Sequence, residues 1–318
     1  MTDSIVTAQR VTTLPAESLI EGAGGVQLGL LDYGEPGAGA APPLLLLHGI
    51  RDLAWSMDSI AQVLRNRYRV WSLDLRGHGR SEHPGGYTFA LYCADLHCVL
   101  DRLGIEKGTL VGHSLGGQIV CAYAALFPER VGALVTIEGL GPPRPPGADI
   151  VEERRLHGRS GVEMLTGLRS APRRLADLDE ATERVRANHP SLDAERARFL
   201  TKHGVAPLPD GGLRWRWDPR VQGTWTSTTR MANEERWGWV RCPTLVVTAG
   251  RAGTFWRDRR GMPDTQEGGM TPEERARRVA CFKNARHVEV AAAGHMVHFD
   301  APEELNRAIV EFLDTVWV

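Results

Sequence analysis

Short apolar runs alternate along the first half of the chain with segments whose apolar residues recur at helical spacing. Leu44–His48, Tyr68–Leu73, Thr109–Gly112 and Val131–Ile137 have buried-strand character, and Val26–Tyr33 alternates in part. Between them, Ser56–Asn66 gathers Met57, Ile60, Ala61 and Leu64 on one side. Phe89–Leu103 does the same with Leu96, Leu100 and Leu103, and Leu115–Phe127 is helical. Strands alternating with helices of this length predict an α/β fold, a parallel sheet covered on both faces. The alternation stops after Ile137. Gly139–Gly147 holds Gly-Pro-Pro and Pro-Pro breakers, and the stretch from about Ile150 to Trp239 is Arg-rich, helical in character and without a buried-strand run. Strand character resumes at Thr244–Thr248 and Val288–Val290. Pro302–Val318 predicts a closing amphipathic helix with Leu305, Ile309, Phe312 and Leu313 on one face. The expected organisation is a core formed by residues 1–140 and 240–318, interrupted by a helical lid over 141–239.

Composition adds exclusions. Hydrophobic residues make up 42% of the chain, enough apolar material for a large core, so a disordered chain is excluded. The 38 basic and 39 acidic residues nearly cancel, which leaves no net field to attract nucleic acid or an anionic membrane. Five cysteines without a CxxC pair suggest neither a disulfide framework nor a zinc ribbon. No apolar run approaches a membrane span, and Met1–Arg10 shows no secretory signal, so a cytoplasmic setting is expected. Oligomeric state is left open.

The sharpest local signal is Gly112-His113-Ser114-Leu115-Gly116, a G-x-S-x-G between an expected strand and an expected helix. The chain must turn sharply there for the Ser hydroxyl to stand clear of the sheet edge. Side chains two residues to either side would collide across the turn, so both places are Gly. The following helix N-terminus favours developing negative charge. Ser114 is therefore the candidate nucleophile.

Four further segments stand in a fixed order around this motif: Leu47-His48-Gly49, Asp74-Leu75-Arg76-Gly77-His78-Gly79-Arg80-Ser81, Phe127-Pro128-Glu129-Arg130-Val131, and Gly294-His295 ahead of Pro302-Glu303-Glu304-Leu305. On these residues the chain resembles the α/β-hydrolase superfamily over almost its whole length. The resemblance implies a mostly parallel central sheet with helices on both faces and a helical lid inserted between strands six and seven. It also implies that His295 is the base and that the backbone N–H groups of Ile50 and Leu115 form the oxyanion hole. His298 reads as structural, at the entrance to the final helix. His113 is expected to point away from a reacting acyl group. The remaining histidines show no metal-ligand spacing, and neither a metal nor a cofactor is expected.

The family's usual acid position, three residues after the Gly that ends strand seven, holds Gly253 here. Glu138 closes the apolar run Val131–Ile137 at the catalytic edge, and some branches of the superfamily, including a group of haloalkane dehalogenases, take their acid from that place. A triad is defined by geometry and not by chain order, so Glu138 ranks first, Asp258 second and Asp264 third. Five of nine tryptophans lie at 215, 217, 225, 237 and 239, where Trp215 and Trp217 are candidate walls of an apolar acyl pocket. The expected function is a serine ester hydrolase acting on a small-molecule apolar acyl substrate. Thioester, lactone or C–C bond hydrolysis and acyl transfer use the same machinery, and a non-catalytic ligand receptor is a separate class disfavoured by the intact Ser, His and HG segments.

Overall fold

A computed structural model describes residues 14–34, 41–143, 173–227, 230–260 and 269–317, with scattered positions between 149 and 166. The side chains of 226, 227, 230, 231 and 257–260 are outside that description. Eight strands form the central sheet: β1 (Ala16–Glu21), β2 (Gln27–Asp32), β3 (Pro43–Leu47), β4 (Arg69–Leu73), β5 (Gly108–His113), β6 (Val131–Ile137), β10 (Thr244–Ala249) and β11 (Ala285–Val290). Their order is β1-β2-β4-β3-β5-β6-β10-β11. The β1–β2 and β2–β4 pairs are antiparallel, and every later pair is parallel.

The continuous apolar runs follow from burial on both faces. In β3, Leu45 and Leu47 face one core with α2 (Phe89–Arg102) and α3 (Leu115–Leu126). Leu44 and Leu46 face the other core, with α1 (Asp58–Leu64) and the final helix α10 (Pro302–Asp314). Helix α3 is buried from Leu115 to Ala125, because α2 and α6 (Arg230–Trp237) cover the side that the sheet does not.

The segment between β6 and β10 carries helices α4 (Leu178–Asn188) and α5 (Ala194–Gly204), each opened by an Asp side chain, Asp177 or Asp193, that accepts a backbone N–H in the first turn. It also contains a three-stranded sheet that its helical character did not predict, in which β9 (Leu213–Trp215) pairs with β7 (Arg174–Leu175) and β8 (Val205–Pro207). Strands of two or three residues are too short to leave a periodicity. The Glu152–Arg159 part of the expected lid lies mostly outside the described residues. No described helix is long and apolar enough to cross a membrane.

Candidate active site

Ser114 is the single residue between β5 and α3, with φ 52° and ψ −112°. Both flanking glycines are sterically required. A Cβ on Gly112 would lie 2.4 Å from the Gly116 carbonyl, and one on Gly116 would lie 2.3 Å from the Leu47 oxygen. The turn is pinned from both sides: the Ser114 N–H donates to the Ile137 carbonyl (2.8 Å), and the Gly116 N–H donates to the His48 carbonyl (3.1 Å). Among the described residues three non-glycines have positive φ, namely Arg51, Ser114 and Glu138. Each follows a parallel strand, β3, β5 or β6, at its carboxyl end, where open α/β sheets bind ligands. Strained backbone of this kind persists only where its surroundings over-determine it.

His295 lies on the loop between β11 and the short helix α9 (Val297–Asp300). Its Nε2 is 3.0 Å from Ser114 Oγ and its Nδ1 is 3.0 Å from Glu138 Oε2. The other Glu138 oxygen accepts the Ala249 N–H at 2.8 Å. Burial pushes the Glu138 carboxyl up to about 7, and the Ala249 hydrogen bond opposes that shift. Helix α7 (Gly253–Arg260) begins at the family's usual acid position. Asp258 belongs to this helix, but its side chain is outside the description, and Asp264 lies outside the described residues altogether. The helix instead brings Phe255 flat against the His295 imidazole, with ring centroids 3.9 Å apart and planes 13° from parallel, while Trp256 meets the same ring edge-on at 5.4 Å. These aromatic contacts were not foreseen.

Also unforeseen is Arg278 in α8 (Pro272–Val279), fully buried, which donates to the carbonyls of Leu140 (2.6 Å) and Pro142 (2.8 Å) and pairs with Glu274 (2.7 Å). It anchors the chain just beyond Glu138.

The loop after β3 is held by its histidine. His48 Nε2 accepts the Leu75 N–H (3.0 Å), so Nδ1 carries the proton and donates to the Gly49 carbonyl (2.6 Å). In a trans peptide the next N–H points opposite to that carbonyl, which turns the Ile50 N–H away from His48. The Leu115 N–H belongs to the first turn of α3, where helices leave donors free. Among the described residues neither N–H has a hydrogen-bond acceptor. The Asp74–Ser81 segment braces the same edge: Asp74 accepts the N–H groups of Ala54 (2.7 Å) and Arg80 (2.9 Å), and buried Arg76 pairs with Asp95.

His113, the residue before Ser114, is buried in the interior. Its Nε2 lies 2.9 Å from the His295 carbonyl oxygen, so it carries the proton and donates, and its ring lies 4.6 Å from that of His298. Burial holds His113 down at about 3 and His298 well below the usual imidazole range, so both are neutral. One donor atom each from Asp52, His113 and His298 falls within 4.8 Å of the others. Residue spacing could not reveal this cluster, because its members come from the loop after β3, the end of β5 and helix α9.

Trp215 and Trp217 line a pocket with Arg51, Asp52, His189 and Phe299, and the Arg51 guanidinium sits 5.6 Å above the Trp217 ring. The other tryptophans of the segment divide: Trp237 is buried and stacked on Phe282, Trp225 packs against Phe89, and Trp239 is exposed.

The chain matches the family model described as alpha/beta hydrolase fold over residues 42–302. It is 26% identical over 273 residues to Esterase YbfF of Escherichia coli, covering 86% of this chain and 93% of that protein. It is 27% identical to Epoxide hydrolase A of Mycobacterium tuberculosis, covering 94% and 97% respectively. Several curated relatives match over only about half of their length or less: a serine hydrolase-like protein of Danio rerio, 29% identical, covers 56% of each chain, and an uncharacterised protein of Mycobacterium bovis is matched over 31% of its length. Among solved structures, the thioesterase domain from the curacin biosynthetic pathway superposes with a TM-score of 0.74 at 25% identity, covering 94% of this chain and all of that one.

Proposed function

We propose, from the premise that this chain belongs to the alpha/beta hydrolase fold family, that it is a serine hydrolase cleaving a carboxylic ester or related acyl bond of a small molecule. The observation that carries this reading is the unbroken chain Ser114 Oγ–His295–Glu138, with both contacts at 3.0 Å. His295 Nε2 takes the proton of Ser114 as the hydroxyl attacks the acyl carbon. Glu138 faces the Nδ1–H, fixing the tautomer that leaves Nε2 free and stabilising the imidazolium that forms. The Ile50 and Leu115 N–H groups receive the oxyanion, and losing one such donor costs about 3–4 kcal/mol of transition-state stabilisation in comparable sites. The imidazolium then protonates the leaving group. Water, deprotonated by the same nitrogen, releases the acyl-enzyme.

The test is labelling of the full chain with a fluorophosphonate, followed by turnover of p-nitrophenyl esters and acyl thioesters of graded length. Labelling should map to Ser114 and vanish in Ser114→Ala, which stays folded because among the described residues the hydroxyl hydrogen-bonds only His295. Full activity in Ser114→Ala would remove the proposal. A preference for thioesters over esters would change the leaving group but not the mechanism.

A further inference from the structure

Behind the nucleophile lies a second constellation that the acyl-transfer chemistry does not use. His113 and His298 are 1% and 2% exposed, yet His113 Nδ1 and both ring nitrogens of His298 have no hydrogen-bond partner among the described residues. Buried imidazole nitrogens are rarely left unsatisfied, because each forfeits its hydration without recovering a bond. The unpartnered His113 Nδ1 faces the loop after β3, since a Cβ on Gly49 would lie 3.0 Å from it. Asp52 stands on that same loop. Its carboxylate accepts the Leu53 N–H (2.9 Å) and Ser56 Oγ (2.8 Å), with a further backbone contribution from Gly49, and a carboxylate's four lone-pair sites are not exhausted by these. Asp52 is half-buried and lines the pocket shared with Arg51, His189 and Trp217, so the carboxylate end of the cluster borders an open pocket.

We propose that Asp52, His113 and His298 form an inhibitory site for a divalent transition-metal ion of the Zn2+ type. Two neutral imidazole nitrogens and one carboxylate oxygen are the donor set such ions select. The three donor atoms lie within 4.8 Å of one another, whereas Zn–N bonds of about 2.0–2.1 Å set tetrahedral ligands roughly 3.3 Å apart. Binding therefore draws the three side chains together. His113 cannot move alone, because its Nε2 holds the His295 carbonyl at 2.9 Å. Metal occupancy displaces the backbone of the residue whose imidazole faces Ser114, and a misplacement of about 1 Å at a reacting centre costs on the order of 10²-fold in rate.

The experiment titrates the chelator-stripped full chain with zinc chloride by isothermal calorimetry and follows p-nitrophenyl acetate turnover in parallel. The expected result is one Zn2+ per chain and turnover reduced about 10²-fold at saturation. Asp52→Asn and His298→Gln should each weaken the calorimetric affinity by about ten-fold or more and relieve inhibition. Asp52→Asn keeps the side-chain volume at a half-buried position, so it tests the site even if His298→Gln fails to fold. No binding up to millimolar Zn2+ would mean a polar niche filled by water and would overturn the assignment. So would affinity unchanged in both variants, or stoichiometric binding that leaves turnover intact. Calorimetry needs no turnover, so Zn2+ binding by a chain inert toward esters would defeat the acyl-transfer proposal while leaving the metal site standing.

Discussion

Glu138 carries two opposed demands. It must be ionised to stabilise an imidazolium, yet burial raises its carboxyl to about 7 from an ordinary 4.5. Between those values the unfolded chain releases the proton and the native chain keeps it, so the group's contribution to stability falls as pH rises through that window. Glutamine does not titrate. The melting temperature of Glu138→Gln should therefore gain on the native chain's between pH 4.5 and 7, as scanning calorimetry across that range would reveal; a constant gap would mean that the carboxylate is ionised throughout. The same substitution should slow ester turnover by up to about 10⁴-fold, the size of loss that an Asp→Asn change causes in serine proteases, because the amide can hold the wrong imidazole tautomer. Phe255 bears on the same ring from its face. Stacked aromatic pairs contribute about 0.5–1.5 kcal/mol, so Phe255→Ala should lower kcat roughly two- to twelve-fold with little change in KM, and Phe255→Tyr should restore it. If KM alone rises, the ring touches substrate and does not position the base.

At the level of elements, the site is where three strand ends and one helix start are packed without slack. Helix α3 begins so close to the loop after β3 that Gly116→Ala forces the Leu47 carbonyl to move. Overpacking against backbone costs about 1–3 kcal/mol, and the lost stability should appear as a lower denaturant midpoint together with loss of fluorophosphonate labelling. Arg278 does comparable work on the other side, fastening the exit of β6 to α8. Removing one partner of a buried ion pair leaves its charge unpaired, so Arg278→Leu should destabilise the fold by about 3–5 kcal/mol in urea unfolding. A loss under 1 kcal/mol would show that Glu274 and the freed carbonyls are rehydrated instead.

Across the whole molecule, the segment between β6 and β10 meets the core at Trp217, whose backbone bridges His78 and whose ring lies under Arg51. If this segment is the lid that controls access, Trp215→Ala and Trp217→Ala should shift acyl-chain preference more than they change turnover of a short acetate ester; equal losses on all chain lengths would indicate packing alone. Much of the α/β core was legible in the chain because its cause is local: alternating core faces give continuous apolar strands, helical spacing places α1, α2 and α10, and the steric needs of a tight turn put Gly112 and Gly116 about Ser114. Edge strand β1 was not, since its residues are mostly exposed and carry no alternation. Glu138 stood out as a carboxylate closing an apolar strand, but its approach to His295 joins residues 157 positions apart. Which carboxylate faces a histidine, which ring lies on it, and that Asp52, His113 and His298 share one niche depend on how strands stack side by side in the sheet. Sequence by itself determined most elements of the core and the glycine-flanked turn at Ser114, because short-range sterics and periodic burial act between near neighbours. Tertiary structure alone decided the distances that join Ser114, His295 and Glu138, because contacts across a parallel sheet have no fixed spacing along the chain.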